Sequence, residues 1–185
     1  FCIHPIKSGK RREKKPERIV EEIKHSIERY GVRLFRYAGS NTPVHLMEGI
    51  AKLILENGLK IKYTGFGHFK DMKDGNFFLL KKSGCEALFF GVESANEEIL
   101  EKGMNKKIKK KEMEEVLKDC KSAGIFTVVS LIYPAPFENE KTRQETLQFM
   151  RDTKPDSAVV QFPGIYPGTV WFKKAEEFNF EIDKE

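Results

Sequence analysis

Short apolar runs alternate with amphipathic, helix-patterned segments along almost the whole chain, and this alternation restricts the fold more than any other feature. The runs are VRLFRYAG (32–39), KIKYTGFG (60–67), EALFFGVES (86–94), IFTVVSLIYP (125–134) and DSAVVQFPG (156–164). Their apolar and β-branched content, bounded by glycine and proline, reads as strands. Between them stand helical patterns. PERIVEEIKHSIERYG (16–31) spaces Ile19, Ile23 and Ile27 along one face, with proline at its start and Gly31 at its stop. TPVHLMEGIAKLILENG (42–58), GNFFLLKKSGC (75–85), NEEILEKG (96–103), KKEMEEVLKDCKSAG (110–124), NEKTRQETLQFMRDT (139–153) and PGTVWFKKAEEF (167–178) follow. Strands that alternate with helices of this length require right-handed crossovers and a largely parallel sheet covered by helices.

With 185 residues, 39% of them hydrophobic, the chain has material for one core, so a single domain over 1–185 is expected. A polar tail closes it at 178–185. The 33% of charged residues and the lack of any apolar run near the ~20 residues that cross a bilayer argue for a soluble, cytoplasmic protein without a membrane role. No secretory signal pattern is visible. Three cysteines, Cys2, Cys85 and Cys120, are odd in number and far apart, which suits a reducing compartment and spells no metal motif by itself.

The net charge of +5 raises a nucleic-acid reading, carried by KSGKRREKK (7–15) and KKIKKKE (106–112). Lysine and arginine clusters neutralise phosphates. No aromatic residues are interleaved for base stacking, so solvated faces are the favoured reading and nucleic acid the lesser one.

In parallel sheets ligands gather at the carboxyl ends of the strands. That rule selects 38–42, 64–68, 91–94, 130–136 and 161–169. In GVESANEEILEKGMNK (91–106), Glu93 and Ser94 stand where an apolar strand stops, able to hold ribose hydroxyls or an ammonium group. Ser94 or Asn96 can equally cap the next helix. In FRYAGSNTPV (35–44), Gly39, Ser40, Asn41 and Thr42 offer amides and polar side chains at a helix start, suited to an anionic or zwitterionic ligand. The two Pro and two Gly around Tyr166 in FPGIYPGTVWF (162–172) make rigid turns. His68, at the end of its strand, faces the expected cavity; Cys85 and Cys120 read as small hydrophobes and His25 as solvated.

Taken together, these stretches resemble the radical S-adenosylmethionine (radical SAM) superfamily, in its cobalamin-associated and methylthiotransferase-like branch. The likeness rests on GVES with its EILEKGMNK continuation and on KSAGI (121–125). SLIYPAPFENEKTRQETLQFM (130–150) is similar to a family segment in which Ala135 and Phe137 replace expected glycines, and FPGIYPGTVWFKKAEE to its closing strand and turn. The 35–44 loop lacks the acidic residue many members show there.

The resemblance implies an incomplete parallel (β/α) barrel that lacks its first strand and most of the cluster loop, with 1–15 as the remnant of that loop. In the family a C-x-x-x-C-x-aromatic-C loop holds a 4Fe-4S cluster, and Phe1-Cys2 looks like its last two positions, making Cys2 a metal ligand. The implied activity is reductive cleavage of S-adenosylmethionine to a 5'-deoxyadenosyl radical, for methylation or another radical transfer on an unknown substrate. The chain alone would be inactive. Implied cofactor contacts are Phe1 and Ile132 at adenine, Glu93, Ser94 and Ser130 at ribose or methionine, Gly39, Ser40, Asn41 and Thr42 at the amino group, and Gln161 and Phe162 through backbone bonds. His68, Tyr133 and Tyr166 are substrate candidates. An electron donor such as flavodoxin or ferredoxin is implied, and cobalamin in an upstream domain is left open. Two alternatives stand beside this: a methylthiotransferase acting on tRNA or a ribosomal protein, and a basic nucleic-acid-binding module without catalysis.

Overall fold

The computed structural model describes residues 2–10, 12–39 and 41–182. After a short helix α1 (His4–Ser8) the chain runs α2 (Pro16–Tyr30), β1 (Leu34–Arg36), α3 (Val44–Glu56), β2 (Lys62–Gly67), α4 (Phe69–Met72), α5 (Phe77–Lys82) and β3 (Cys85–Glu93). A π-helical turn (Ile99–Gly103), α6 (Lys110–Ser122), β4 (Phe126–Ile132), α7 (Glu140–Thr153), β5 (Ser157–Gln161), α8 (Val170–Lys173) and a 3-10 turn (Glu176–Phe178) complete it. All strand pairs are parallel, and the strands lie side by side in sequence order. Each crossover therefore steps the same way, as in a barrel, and the sheet never reverses direction as doubly wound sheets do.

The period-two alternation of the strands separates two faces. In β3, Leu88, Phe90 and Val92 are buried, whereas Phe89, Gly91 and Glu93 between them are half-buried. The buried face meets the helices. Phe90 stacks on Phe69 at 4.7 Å, and α6 turns Met113, Val116, Leu117 and Cys120 inward at helical spacing. Helix α3 buries Leu46, Met47, Ile50, Ala51 and Ile54 and packs against α2. The other face carries Thr64, Phe66, Phe89, Gly91 and Ser130, all half-buried. It forms the less buried side of the sheet.

Glycine is needed where α5 gives way to β3. Gly84 has a φ of 109°, and a Cβ there would overlap the carbonyl oxygen of Ile61. This contact lets β3 come alongside β2, with Tyr63 N–H donating to the Gly84 carbonyl at 2.9 Å.

The alternation in the sequence correctly places all five strands, but the carboxyl-terminal helix read over 167–178 is broken. It divides into α8 and a 3-10 turn, because Lys174 leaves helical geometry with φ −120° and ψ 29°. Two short helices, α1 and α4, have too few residues to display a period and escape a reading based on periodicity. NEEILEKG is helical as expected but wound as a π turn.

Candidate functional site

The carboxyl ends of β2, β3 and β4 bring together Glu93, Lys106, Ser130 and His68. Glu93 ends β3 with a φ of 62°, a left-handed conformation unusual for a residue with a side chain. The Lys106 ammonium reaches it at 3.3 Å and also donates to the Gly91 carbonyl, while Ser130 donates to the second carboxylate oxygen at 3.3 Å. The Glu93 and Lys106 side chains are each only 11% exposed. Burial pulls Lys106 below the usual lysine range, and the Glu93 charge opposes that shift. A Cβ at position 91 would overlap the Glu93 carboxylate, so the glycine of GVES leaves room for the carboxylate to fold back onto Lys106.

Lys106 was read from sequence as the last residue of the EILEKGMNK stretch and as part of a solvated basic run, not as a partner of Glu93. Its placement follows from the π turn, whose wider winding carries Gly103 inward, after which Lys106 N–H donates to Leu100 at 2.7 Å. Trp171 of α8 pins that turn by donating its indole N–H to the Gly103 carbonyl at 2.6 Å. Trp171→Phe keeps the aromatic packing and leaves that buried carbonyl without this donor. The expected cost is about 1–3 kcal/mol, read from chemical denaturation.

His68 follows β2, and its Nδ1 is buried without a hydrogen-bond partner. Its pKa is lowered, first by burial and then by Lys106, with Asp71 acting the other way. A depressed histidine pKa means the unfolded chain binds the proton more readily. Stability is therefore full above the ordinary histidine value of about 6.5 and falls as pH drops through it toward the lower folded value. His68→Gln is expected to flatten that part of the stability profile, as followed by urea unfolding at stepped pH.

A second group lines a cleft of about 1080 Å³ beside β1, where Cys2 shares the wall with Arg36, Tyr37, Gly39, Asn41 and Thr42. Asn41 donates from its side chain to Asp71 at 2.8 Å, and Thr42 N–H to the Phe66 carbonyl at 2.9 Å, tying this loop to the end of β2. Gly39 has a φ of 132°. Cys2 is an exposed, free thiol; Cys85 and Cys120 are buried, the first pushed up to about 12 and the second also raised, both chiefly by burial. Neither is among the residues lining the cleft. Among the described residues no group of three His, Cys, Asp or Glu could hold a metal ion.

The other sequence candidates fall elsewhere. Ser94 is buried with its hydroxyl 3.3 Å from Thr146 and accepting from Asn96 N–H, while the Asn96 side chain accepts from Ile99 N–H and so caps the π turn. Ile132 is buried at the end of β4. Gln161 accepts from Tyr133 N–H at 2.9 Å, and Phe162, Tyr133 and Tyr166 are exposed along the β5 side. Phe1 and Ser40 lie outside the described residues. Phe137 has a φ of 64°, the geometry glycine adopts freely, and its ring packs edge-on against Phe178 at 5.4 Å.

Comparison with known proteins places this arrangement. The family model described as the radical SAM superfamily matches residues 1–150. An uncharacterized methyltransferase of Pyrococcus horikoshii is 27% identical over 91% of the chain and 37% of its own length. A tRNA-2-methylthio-N(6)-dimethylallyladenosine synthase of Anoxybacillus flavithermus is 26% identical over 100% of the chain and 37% of its own length. The chain thus spans little more than a third of these curated relatives. Among solved structures, the radical S-adenosylmethionine methyltransferase TsrM from Kitasatospora setae superposes with a TM-score of 0.68 at 15% identity, covering 81% of this chain and 31% of that one. Coproporphyrinogen III oxidase from Escherichia coli gives 0.62 at 16%, covering 89% and 39%. The five parallel β/α units are those of an incomplete radical SAM (β/α) barrel, and the chain belongs to the radical SAM superfamily.

Proposed function

We propose that this chain, within a protein that supplies the remaining cluster cysteines, binds a 4Fe-4S cluster and S-adenosylmethionine at the strand carboxyl ends and serves methylation or another radical transfer. The observation that carries the reading is that Cys2 opens onto the same cleft as the Gly39–Asn41–Thr42 loop. Radical SAM membership implies these two cofactors. The residues fit them in part: Cys2 suits one thiolate position, whereas the two buried cysteines do not. When bound, cluster and S-adenosylmethionine together supply one-electron cleavage to a 5'-deoxyadenosyl radical.

The chain's own residues do the positioning. Glu93, held by Lys106 and Ser130, presents a fixed carboxylate to hydroxyl or ammonium donors, while Gly39, Asn41 and Thr42 line the cleft onto which Cys2 opens. Phe66 and Phe89, with ring centroids 5.3 Å apart, lie on the same sheet face. Flavodoxin or ferredoxin would supply the electron.

Two finer readings have separate support. The P. horikoshii methyltransferase, with the cobalamin-bound structures of TsrM and OxsB, favours methylation with cobalamin held in another domain. The tRNA-2-methylthio-N(6)-dimethylallyladenosine synthases, which match over the full chain, favour methylthiolation of tRNA. A cobalamin-type domain upstream would select the first, and a further cysteine-bearing domain upstream with an RNA-binding domain downstream the second.

Glu93→Gln keeps the shape and removes the charge. In the longer protein, reconstituted anaerobically with iron and sulfide, it is expected to weaken S-adenosylmethionine about tenfold in equilibrium dialysis. Unchanged affinity would remove Glu93 from the site.

A further inference from the structure

We propose that Arg36, laid over the rings of Phe66 and Phe89 on the less buried face of the sheet, is an anion-binding subsite for a carboxylate or phosphate group of the substrate. The proposal rests on reading the adjoining cleft as the substrate cavity. The Arg36 guanidinium lies 4.9 Å from the centroid of Phe66 and 5.3 Å from that of Phe89, within the ~6 Å reach of cation–π attraction. Two rings from neighbouring strands, paired in register, thus hold it in place. A guanidinium whose face is covered by aromatic rings keeps its in-plane N–H donors available to a carboxylate or phosphate through two parallel bonds.

No carboxylate among the described residues lies within ion-pair distance of Arg36, and the residue is exposed. The acids lining the same cleft are already engaged: Glu22 with Lys14 at 2.7 Å and Glu13 with His45 at 3.4 Å. Lys10 and Arg12 add further positive charge to that wall. The cleft therefore favours an anion, and Arg36 is a cation in it that lies against two aromatic rings. The Glu93 carboxylate folds back over Gly91, where Lys106 also donates, so the pair sits two residues beyond Phe89, about 7 Å along the strand. A ligand reaching both would span that distance along the sheet.

The test begins with the 185-residue chain, labelled with nitrogen-15 and titrated separately with inorganic phosphate and malonate while the backbone amides of residues 63–67 and 87–91 are followed. Saturable shifts are expected, weakened about tenfold by Arg36→Gln and less by Arg36→Lys, which keeps the charge but loses the planar fork. Arg29→Gln removes the same charge from exposed helix surface and should leave the titration unchanged. Loss of amide dispersion in Arg36→Gln would pass the comparison to Arg36→Lys. Equal binding by wild type and the Arg36 variants, or an equal effect of Arg29→Gln, would overturn the subsite. S-adenosylmethionine carries a carboxylate of its own, so its affinity for the reconstituted longer protein is measured with and without Arg36→Gln. Unchanged affinity assigns the subsite to the substrate; a tenfold loss (about 1.4 kcal/mol) assigns it to S-adenosylmethionine and overturns the proposal. The anion titration needs no cluster, so a failure of the radical SAM reading leaves its result standing.

Discussion

Lys106→Met is expected to destabilise the chain by about 3–5 kcal/mol, the cost of stranding a buried charge. Glu93 would lose the ammonium at 3.3 Å, and the Gly91 carbonyl would lose the same donor. Ser130 alone would remain on the carboxylate. The loss also reaches the backbone, because the left-handed φ of 62° at Glu93 costs of order 1–3 kcal/mol and persists only while its surroundings fix it. Guanidinium denaturation of the single variant and of Lys106→Met/Glu93→Gln separates these terms. The double variant should recover part of the loss, since no unpaired charge remains. Equal stability of Lys106→Met and wild type would mean that water, rather than Lys106, satisfies Glu93.

The same residue shows where sequence reading stopped. GVES marked Glu93 as a strand-end carboxylate, and the apolar runs placed all five strands, because a period of two and glycine punctuation are local signals. Lys106 ends the EILEKGMNK stretch that carries the resemblance, but in KKIKKKE, where five lysines look alike, no local signal marks it as the partner of Glu93. What distinguishes it is the π turn that ends three residues earlier and the indole of Trp171, 65 residues later in the chain. Long-range pinning of this kind leaves no pattern in either segment alone.

Arg36 was missed for a related reason. It reads as one polar residue in a short strand, and its meaning comes from Phe66 and Phe89, which only strand pairing brings beneath it. Ser94 shows the reverse. Its position beside Glu93 marked it as a ligand contact or as a cap of the next helix, and its hydroxyl accepts from Asn96 N–H and meets Thr146 on α7. Phe137 was legible in part: glycine was expected there, and the φ of 64° gives the physical reason. Its edge-on contact with Phe178 supplies packing that glycine could not.

The largest expected effect belongs to Cys2. It is an exposed thiol on the cleft, and the other two thiols are buried, so no neighbouring cysteine among the described residues can take its place. Cys2 would supply one of the thiolates of a 4Fe-4S cluster, and without it the cluster would lose a ligand. Conversion of S-adenosylmethionine to 5'-deoxyadenosine should therefore fall by at least about 100-fold in Cys2→Ala. Cys120→Ala is the thiol control, with a stability cost of its own and no loss of chemistry in the protein that folds. The decisive measurement is anaerobic reconstitution of the longer protein with iron and sulfide, reduction, and quantification of 5'-deoxyadenosine for wild type and Cys2→Ala side by side. Cleavage by wild type that disappears in the variant is the predicted result; a wild type that takes up no cluster, or two proteins that cleave alike, would contradict the assignment of Cys2 and of the strand ends it faces.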